Sequence, residues 1–133
     1  MPLKLRTTAD DVVHIELYVV PRKHRVAFRR SLREPIGIAQ TITRAGGGSG
    51  PHFYRVDVER SSRTAPSIGS LLKARPNEDL WIEIAFYPSW QRRRSTLKKI
   101  WGNAKFTASV GASDSFVSRR RRTYGVANAL QIL

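Results

Sequence analysis

Two glutamates, Glu16 and Glu83, stand inside two short apolar runs whose polar and apolar residues alternate. If these runs form neighbouring strands with the glutamates opposite each other, their Cβ atoms lie about 5 Å apart. Two carboxylates at that distance cannot both ionise easily, so one becomes a candidate general acid or base near neutral pH. His14 shares their alternation and could relay a proton. The sequence therefore nominates Glu16, Glu83 and His14 as catalytic residues.

Three aromatic residues also follow the alternation of the glutamates and are candidate ligand-binding residues: Tyr18, Trp81 and Tyr87. Tyr18 could supply a hydrogen bond to a substrate or join the proton relay, and Trp81 with Tyr87 could form a stacking wall. No dedicated nucleophile is visible, so a reaction here would be proton transfer or substrate-driven oxygen chemistry. The alternative interpretation is structural, with each glutamate paired to one of the many arginines.

The chain offers little for metal or cofactor chemistry. It has no cysteine, which excludes disulfides, thiolate nucleophiles and cysteine-ligated metal centres. His14, His24 and His52 lack the spacing of a metal site, and only His24 is a candidate axial ligand for haem. We predict no metal site and no obligatory cofactor.

The elements that position these residues follow from the periodicity of the apolar positions. Alternation predicts strands, and apolar positions that recur at helical spacing predict helices. The predicted strands are His14 to Val20, His52 to Arg60, Leu80 to Tyr87 and Tyr124 to Leu133, and the predicted helices run from Arg22 to about Arg44 and from Pro88 to near Gly102. Pro35 predicts a kink or a break in the first helix. We expect a flexible arm over residues 1 to 11 and loops over residues 61 to 77 and 103 to 122.

This order is βαββαβ and predicts an α+β, ferredoxin-like domain, in which a four-stranded antiparallel sheet carries two helices on one face. Strands one and three should lie side by side at its centre. We expect the helices to cover the purely apolar face of these strands, which carries Ile15, Leu17, Val19, Leu80, Ile82, Ile84 and Phe86. The polar and aromatic face would then be open and would hold the site.

The charge of the chain suggests a competing function. There are 24 Lys and Arg against 10 Asp and Glu, a formal net charge of +14, and clustered basic residues attract polyanions. RNA-recognition modules share the βαββαβ order and stack bases on sheet aromatics. The alternative is therefore nucleic-acid binding through a basic, aromatic-bearing sheet face. Its basic residues would be Arg92, Arg93, Arg94, Arg119, Arg120, Arg121 and Arg122.

Two observations stand against this alternative. The third strand lacks the RNA-binding consensus, and the two glutamates would place negative charge where phosphates pass. Arginines scattered over a solvated surface, without a polyanionic partner, explain the composition equally well.

The segment from Leu80 to Ser89 (LWIEIAFYPS) leads into a predicted helix, and Arg122-Thr123-Tyr124-Gly125 precedes a closing apolar strand. With the order of elements, these features resemble small, mostly uncharacterised proteins of the dimeric α/β-barrel superfamily, related in fold to the antibiotic-biosynthesis monooxygenases. The resemblance implies a homodimer whose sheets pair face to face, with a pocket between each sheet and its helices or loops. It also implies a small-molecule ligand without selecting a reaction, because members include cofactor-free oxygenases, haem-degrading enzymes, isomerases and sensors.

The length of the chain predicts one domain over residues 1 to 133. No apolar run approaches the roughly 18 residues of a membrane span, and the first residues lack the apolar core of a secretory signal. We therefore expect a cytoplasmic protein with no membrane partner. The predicted function is small-molecule binding by a dimeric α/β barrel, with cofactor-free oxygenase or isomerase chemistry as its enzymatic form.

Overall fold

The computed structural model describes residues 11–56, 67, 70, 72–117 and 123–128. Within them the chain forms β1 (Val12–Pro21), a 3-10 turn (Arg22–His24), α1 (Arg25–Ala45), β2 (Ser49–Val56), β3 (Glu78–Tyr87), α2 (Trp90–Trp101), α3 (Ala104–Asp114) and β4 (Thr123–Asn128). Residues 1–10 of the predicted arm lie outside the described residues. So do the predicted ends of the second and fourth strands, residues 57–60 and 129–133.

The strands form an antiparallel sheet in the order β2-β3-β1-β4. The central pair is β1 and β3, as the sequence predicted, and they pair along their whole length, from Val12 opposite Tyr87 to Pro21 opposite Glu78. This register sets Glu16 directly opposite Glu83. The backbone register therefore places the two glutamates opposite each other, as a carboxylate pair requires.

Helix α1 runs without interruption through Pro35, so the predicted break into two pieces is wrong. A proline removes one backbone hydrogen bond, and here it is buried on the same side of the helix as Phe28, Leu32 and Ala39. The first residue of the helix, Arg25, donates two hydrogen bonds of 2.7 Å to the buried Asp79 of β3. These bonds hold the pKa of the Asp79 carboxyl below its usual value and fix the helix to the sheet.

A third helix, α3, lies where the sequence predicted a loop. Its residues include Thr107, Ser109 and Gly111, which have low helix propensity, and no apolar stripe marks it. The helix begins at Asn103, whose side chain accepts a hydrogen bond from the Phe106 backbone N–H at 3.0 Å. Phe106 then packs into a cluster with α1 and α2, so tertiary packing stabilises what local propensity does not.

The helices cover the opposite face of the sheet from the one predicted. Tyr18 and Trp81 lie in the main core against Phe28 and Leu32 of α1. On the other face, Val19 and Leu80 are buried at one end, whereas Ile15 is 40 % exposed. Leu17, Ile82, Ile84 and Phe86 are all only half-buried. Alternation shows that the two faces of a strand differ, but it does not show which face lies inside. The aromatic face is the one covered by the helices, because burying large aromatic rings removes the larger apolar area from water.

None of the helices that the structure describes is both long enough and apolar enough to cross a membrane.

Candidate active site

A cavity of about 500 Å³ lies between the helix-covered face of the sheet and the helices above it. Most of its polar groups come from the two central strands: His14, Glu16 and Tyr18 on β1, and Glu83 and Tyr87 on β3. The helices add Arg93 of α2 and Ser113 and Asp114 of α3. The walls are mainly apolar and are supplied by all three helices, through Leu32, Ile36, Leu97, Ile100, Phe106 and Val110. The face predicted to be open is thus enclosed, and the prediction of a site on an open sheet face is wrong.

The centre of the polar group is the hydroxyl of Tyr18. It lies within hydrogen-bond reach of Oε2 of Glu16 and of Oε2 of Glu83, so one phenol joins both carboxylates. Tyr18 is 5 % exposed. Burial raises the pKa of its hydroxyl, and the neighbouring Glu83 and Glu16 carboxylates raise it further, so Tyr18 keeps its proton.

The hydrogen bonds at the Tyr18 hydroxyl favour a state in which the two glutamates hold one proton between them. A tyrosine hydroxyl has one proton to donate, and its oxygen can accept a second hydrogen bond only from a group that carries a proton. Both contacts are satisfied when one glutamate is ionised and the other is protonated. Such a pair, holding one proton between two carboxyl groups, offers a base and an acid side by side.

His14 stands next to this pair. Its Nε2 is 3.8 Å from Oε2 of Glu16, and both side chains are largely buried. The donor atoms of His14, Glu16 and Glu83 lie within 4.8 Å of one another, so of the residues that the structure describes these are the ones that could hold a metal ion. Ligands at about 2 Å from a metal lie roughly 3 Å apart, so the three donors would have to move closer to bind one.

Tyr87 and Arg93 extend the polar groups toward the beginning of α2. Burial raises the pKa of Tyr87 to about 12; the Glu83 carboxylate raises it as well, whereas the Arg93 guanidinium acts to lower it. Arg93 lies one turn into α2, whose first residues are capped by the Ser89 side chain. The cavity thus has an acidic region at the strands and a basic residue at the helix.

Two of the three predicted ligand-binding aromatics line the cavity and one does not. Tyr18 and Tyr87 are among its lining residues, and Phe53 of β2 stacks on Tyr18 with 6.0 Å between ring centroids. Trp81 packs edge-on against Phe28 at 5.2 Å and lies outside the lining, so the prediction that Trp81 forms a stacking wall is wrong.

No protein-family model matches the chain. No curated protein matches it either. Similarity is found among solved structures. A variant of SnoaB, a cofactor-independent oxygenase from Streptomyces nogalater, aligns with a TM-score of 0.50 at 15 % identity, over 94 % of this chain and 98 % of its own.

Two further structures have higher TM-scores. A NIPSNAP-like domain protein from Burkholderia xenovorans aligns with a TM-score of 0.59 at 10 % identity, over 95 % of this chain and 90 % of its own. A protein assigned as an antibiotic biosynthesis monooxygenase from Nitrosomonas europaea gives 0.52 at 13 % identity, over 95 % and 96 %. The chain therefore shares a ferredoxin-like α+β fold with these structures. The resemblance drawn from the sequence is confirmed as a statement about fold.

The burial of the sheet aromatics contradicts the nucleic-acid interpretation in the form predicted. Tyr18, Trp81 and Tyr87, the rings proposed to stack on bases, are all buried beneath the helices. Arg93 is half-buried and lines the cavity, so it does not belong to an exposed patch with Arg92 and Arg94. Residues Arg119, Arg120, Arg121 and Arg122 lie outside the described residues.

The sequence analysis missed part of this site. It assigned no role to Phe53 or to the helical residues of the wall, and it placed Arg93 on the surface. The capping sequence Asn103 to Phe106 was the available signal for α3, since an asparagine three residues before an apolar position is typical of a helix start. No local signal distinguishes Arg93 from the two arginines beside it.

Proposed function

We propose that the protein binds a small, mainly apolar molecule and catalyses a proton transfer, with Glu16 and Glu83 as the paired base and acid. One observation carries this proposal: two glutamates face each other across the central strands, share the Tyr18 hydroxyl and line a largely apolar cavity. Holding two carboxyl groups partly buried beside an apolar cavity costs free energy of desolvation, which favours a chemical role for the pair.

The chemistry would begin at an acidic C–H bond beside a carbonyl or phenol. The ionised glutamate takes the proton, and the electron pair of that bond moves into the substrate to give an enolate. In an isomerase, the protonated glutamate returns a proton to a different atom. In a cofactor-free oxygenase, dioxygen is the oxidant: a methylene becomes a carbonyl, and the second oxygen atom leaves as water.

The comparisons support this proposal through fold alone. SnoaB is a cofactor-independent oxygenase, and its chain aligns with this one over nearly their whole lengths. The proposal needs no metal and no cofactor, and His14 would serve as a proton relay beside Glu16.

The same proposal includes a homodimer. The face of the sheet away from the helices carries Ile15, Leu17, Ile82, Ile84 and Phe86, together with Tyr54, which is 49 % exposed. A second copy placed face to face would cover these side chains and would leave the cavities on the outer sides of the paired sheets.

A generic probe can test the base without knowledge of the substrate. Nitrobenzisoxazole loses the C3–H proton of its isoxazole ring to a base, the N–O bond breaks as the C≡N bond of the nitrile forms, and a coloured cyanonitrophenolate results. Carboxylates in apolar surroundings promote this elimination because desolvation strengthens them as bases. We expect the wild-type protein to accelerate it. Glu16→Gln and Glu83→Gln should each lower the rate on the order of 100-fold, the range of general-base catalysis.

The matched control is Glu34→Gln, since Glu34 lies on the exposed side of α1. That variant should react at the wild-type rate, and so should wild-type protein treated with a chelator. A rate that Glu34→Gln lowers as much as the other two, or one that the chelator abolishes, would rule out a cavity base that works without metal.

A further inference from the structure

Arg93 has an environment that its neighbours in the sequence do not share. Arg92 and Arg94 are exposed, whereas Arg93 is half-buried and lines the cavity. Its Nε is buried and has no hydrogen-bond partner among the residues that the structure describes. A buried N–H group of a charged side chain costs free energy unless an acceptor satisfies it.

Charge is distributed unevenly along the cavity. Arg93 and Glu83 act in opposite directions on the hydroxyl of Tyr87, so this phenol lies within electrostatic reach of both. Tyr18 joins Glu83 to Glu16, and His14 lies beside Glu16. The helices supply the apolar walls and one further carboxyl group, that of Asp114. A ligand in this cavity therefore meets several carboxyl groups but one guanidinium, that of Arg93.

We propose that Arg93 binds a negatively charged oxygen of the ligand, so the cavity selects apolar oxyacids over neutral molecules of the same shape. The guanidinium offers several N–H donors in a planar fork, which suits carboxylate, phenolate and enolate oxygens. This inference rests on the proposed function and adds the class of substrate. With its acidic oxygen on Arg93, such a ligand has its carbon atoms directed along the apolar walls toward the glutamate pair.

Two fluorescent probes with the same aromatic skeleton provide the test. Anilinonaphthalene sulfonate carries an anionic group, and N-phenylnaphthylamine lacks it. Both are titrated into wild-type protein, Arg93→Gln and Arg94→Gln at a salt concentration that screens surface charge. We expect Arg93→Gln to weaken binding of the sulfonate about ten-fold and to leave the neutral probe unchanged. Arg94→Gln, which removes the same charge from the surface, should change either affinity by less than about two-fold.

Equal loss of sulfonate binding in Arg93→Gln and Arg94→Gln would overturn the inference, because the net surface charge would then account for it. No loss in Arg93→Gln would overturn it as well. Arg93→Lys is a second variant that keeps the test decisive if Arg93→Gln folds poorly. It keeps the positive charge but removes the planar guanidinium group, and it should retain part of the preference for the sulfonate probe.

Failure of the proposed function has a different signature. In that case Glu16→Gln and Glu83→Gln would leave the elimination rate unchanged while the sulfonate preference still depended on Arg93. If the preference disappears and the elimination still requires the glutamates, only the inference on Arg93 is wrong.

Discussion

At the scale of single residues, the feature that matters most is a phenol that serves two carboxylates. The Tyr18 hydroxyl contacts Glu16 and Glu83, and it can satisfy both only if the pair holds one proton. The residue types and their alternation predicted the carboxylate pair. They did not predict the link through Tyr18, because side-chain direction within a shared face depends on packing.

Replacement of Tyr18 by phenylalanine should destabilise the protein. The two buried carboxylates lose their common hydrogen-bond partner, and an unsatisfied polar group costs about 1 to 3 kcal/mol. Urea unfolding at neutral pH measures the loss. Tyr54→Phe is the control, since Tyr54 is about half exposed on the other face, and it should leave the free energy of unfolding within about 0.5 kcal/mol of the wild-type value. Equal effects of the two changes would show that the Tyr18 hydroxyl adds nothing to stability.

Tyr87 should make stability depend on alkaline pH. Its pKa rises from 10.0 to about 12 in the folded protein, mainly through burial. Between these values the unfolded chain has released the proton and the folded chain has kept it, so stability falls as pH rises. Relative to Tyr87→Phe, the wild-type protein should lose about 2 to 3 kcal/mol between pH 9 and pH 12. Unfolding curves of both proteins across this range test it, and parallel curves would contradict the assignment.

At the scale of elements, prediction succeeded where the pattern is local and failed where it depends on packing. The bounds of β1 and β3 and the start of α2 at Ser89 agree with the sequence to within two residues. The unbroken path of α1 through Pro35 was not predicted. Helix α3 depends on contacts between helices, which periodicity does not report. The covered face of the sheet was wrong for the same reason.

The junction between α1 and β2 offers a test at this scale. Gly50 has a φ of +98°, and a Cβ there would lie 2.7 Å from the Ile84 carbonyl oxygen of β3. Gly50→Ala should therefore cost about 2 to 4 kcal/mol, through backbone strain and a clash in the sheet. Gly37→Ala is the matched control, since a Cβ at Gly37 meets nothing within 4 Å, and it should stabilise α1 by up to about 1 kcal/mol. Thermal unfolding of both variants measures the contrast, and a shift of the same sign in both would contradict it.

At the scale of the whole molecule, the arrangement of faces links the site to assembly. The polar groups lie under the helices, and most of the purely apolar face, apart from the buried Val19 and Leu80, is left half-exposed. The resemblance noted in the sequence already implied paired sheets, and paired sheets require an apolar outer face. Taken together with the alternation, that implication would have placed the helices on the correct side.

The homodimer should depend on this apolar face. Wild-type protein is expected to be a dimer by light scattering at both low and high salt, because apolar contacts are not screened. Ile15→Glu places a charge in the middle of the face and should give a monomer. Val26→Glu places the same charge on α1, where Val26 is 68 % exposed, and should leave the dimer intact. A monomeric wild-type protein, or dissociation in both variants, would contradict face-to-face pairing.

The direct pairing of Glu16 with Glu83 across two central strands also limits how the length of this chain can change. Side chains in a strand alternate between faces, so insertion or deletion of one codon just before Glu16 would reverse the side of every residue that follows in β1. Glu16 and Tyr18 would then lie on the apolar outer face, and Leu17 would turn toward the cavity. Relatives that retain this site should therefore differ in the length of their loops, and in this strand by substitution alone.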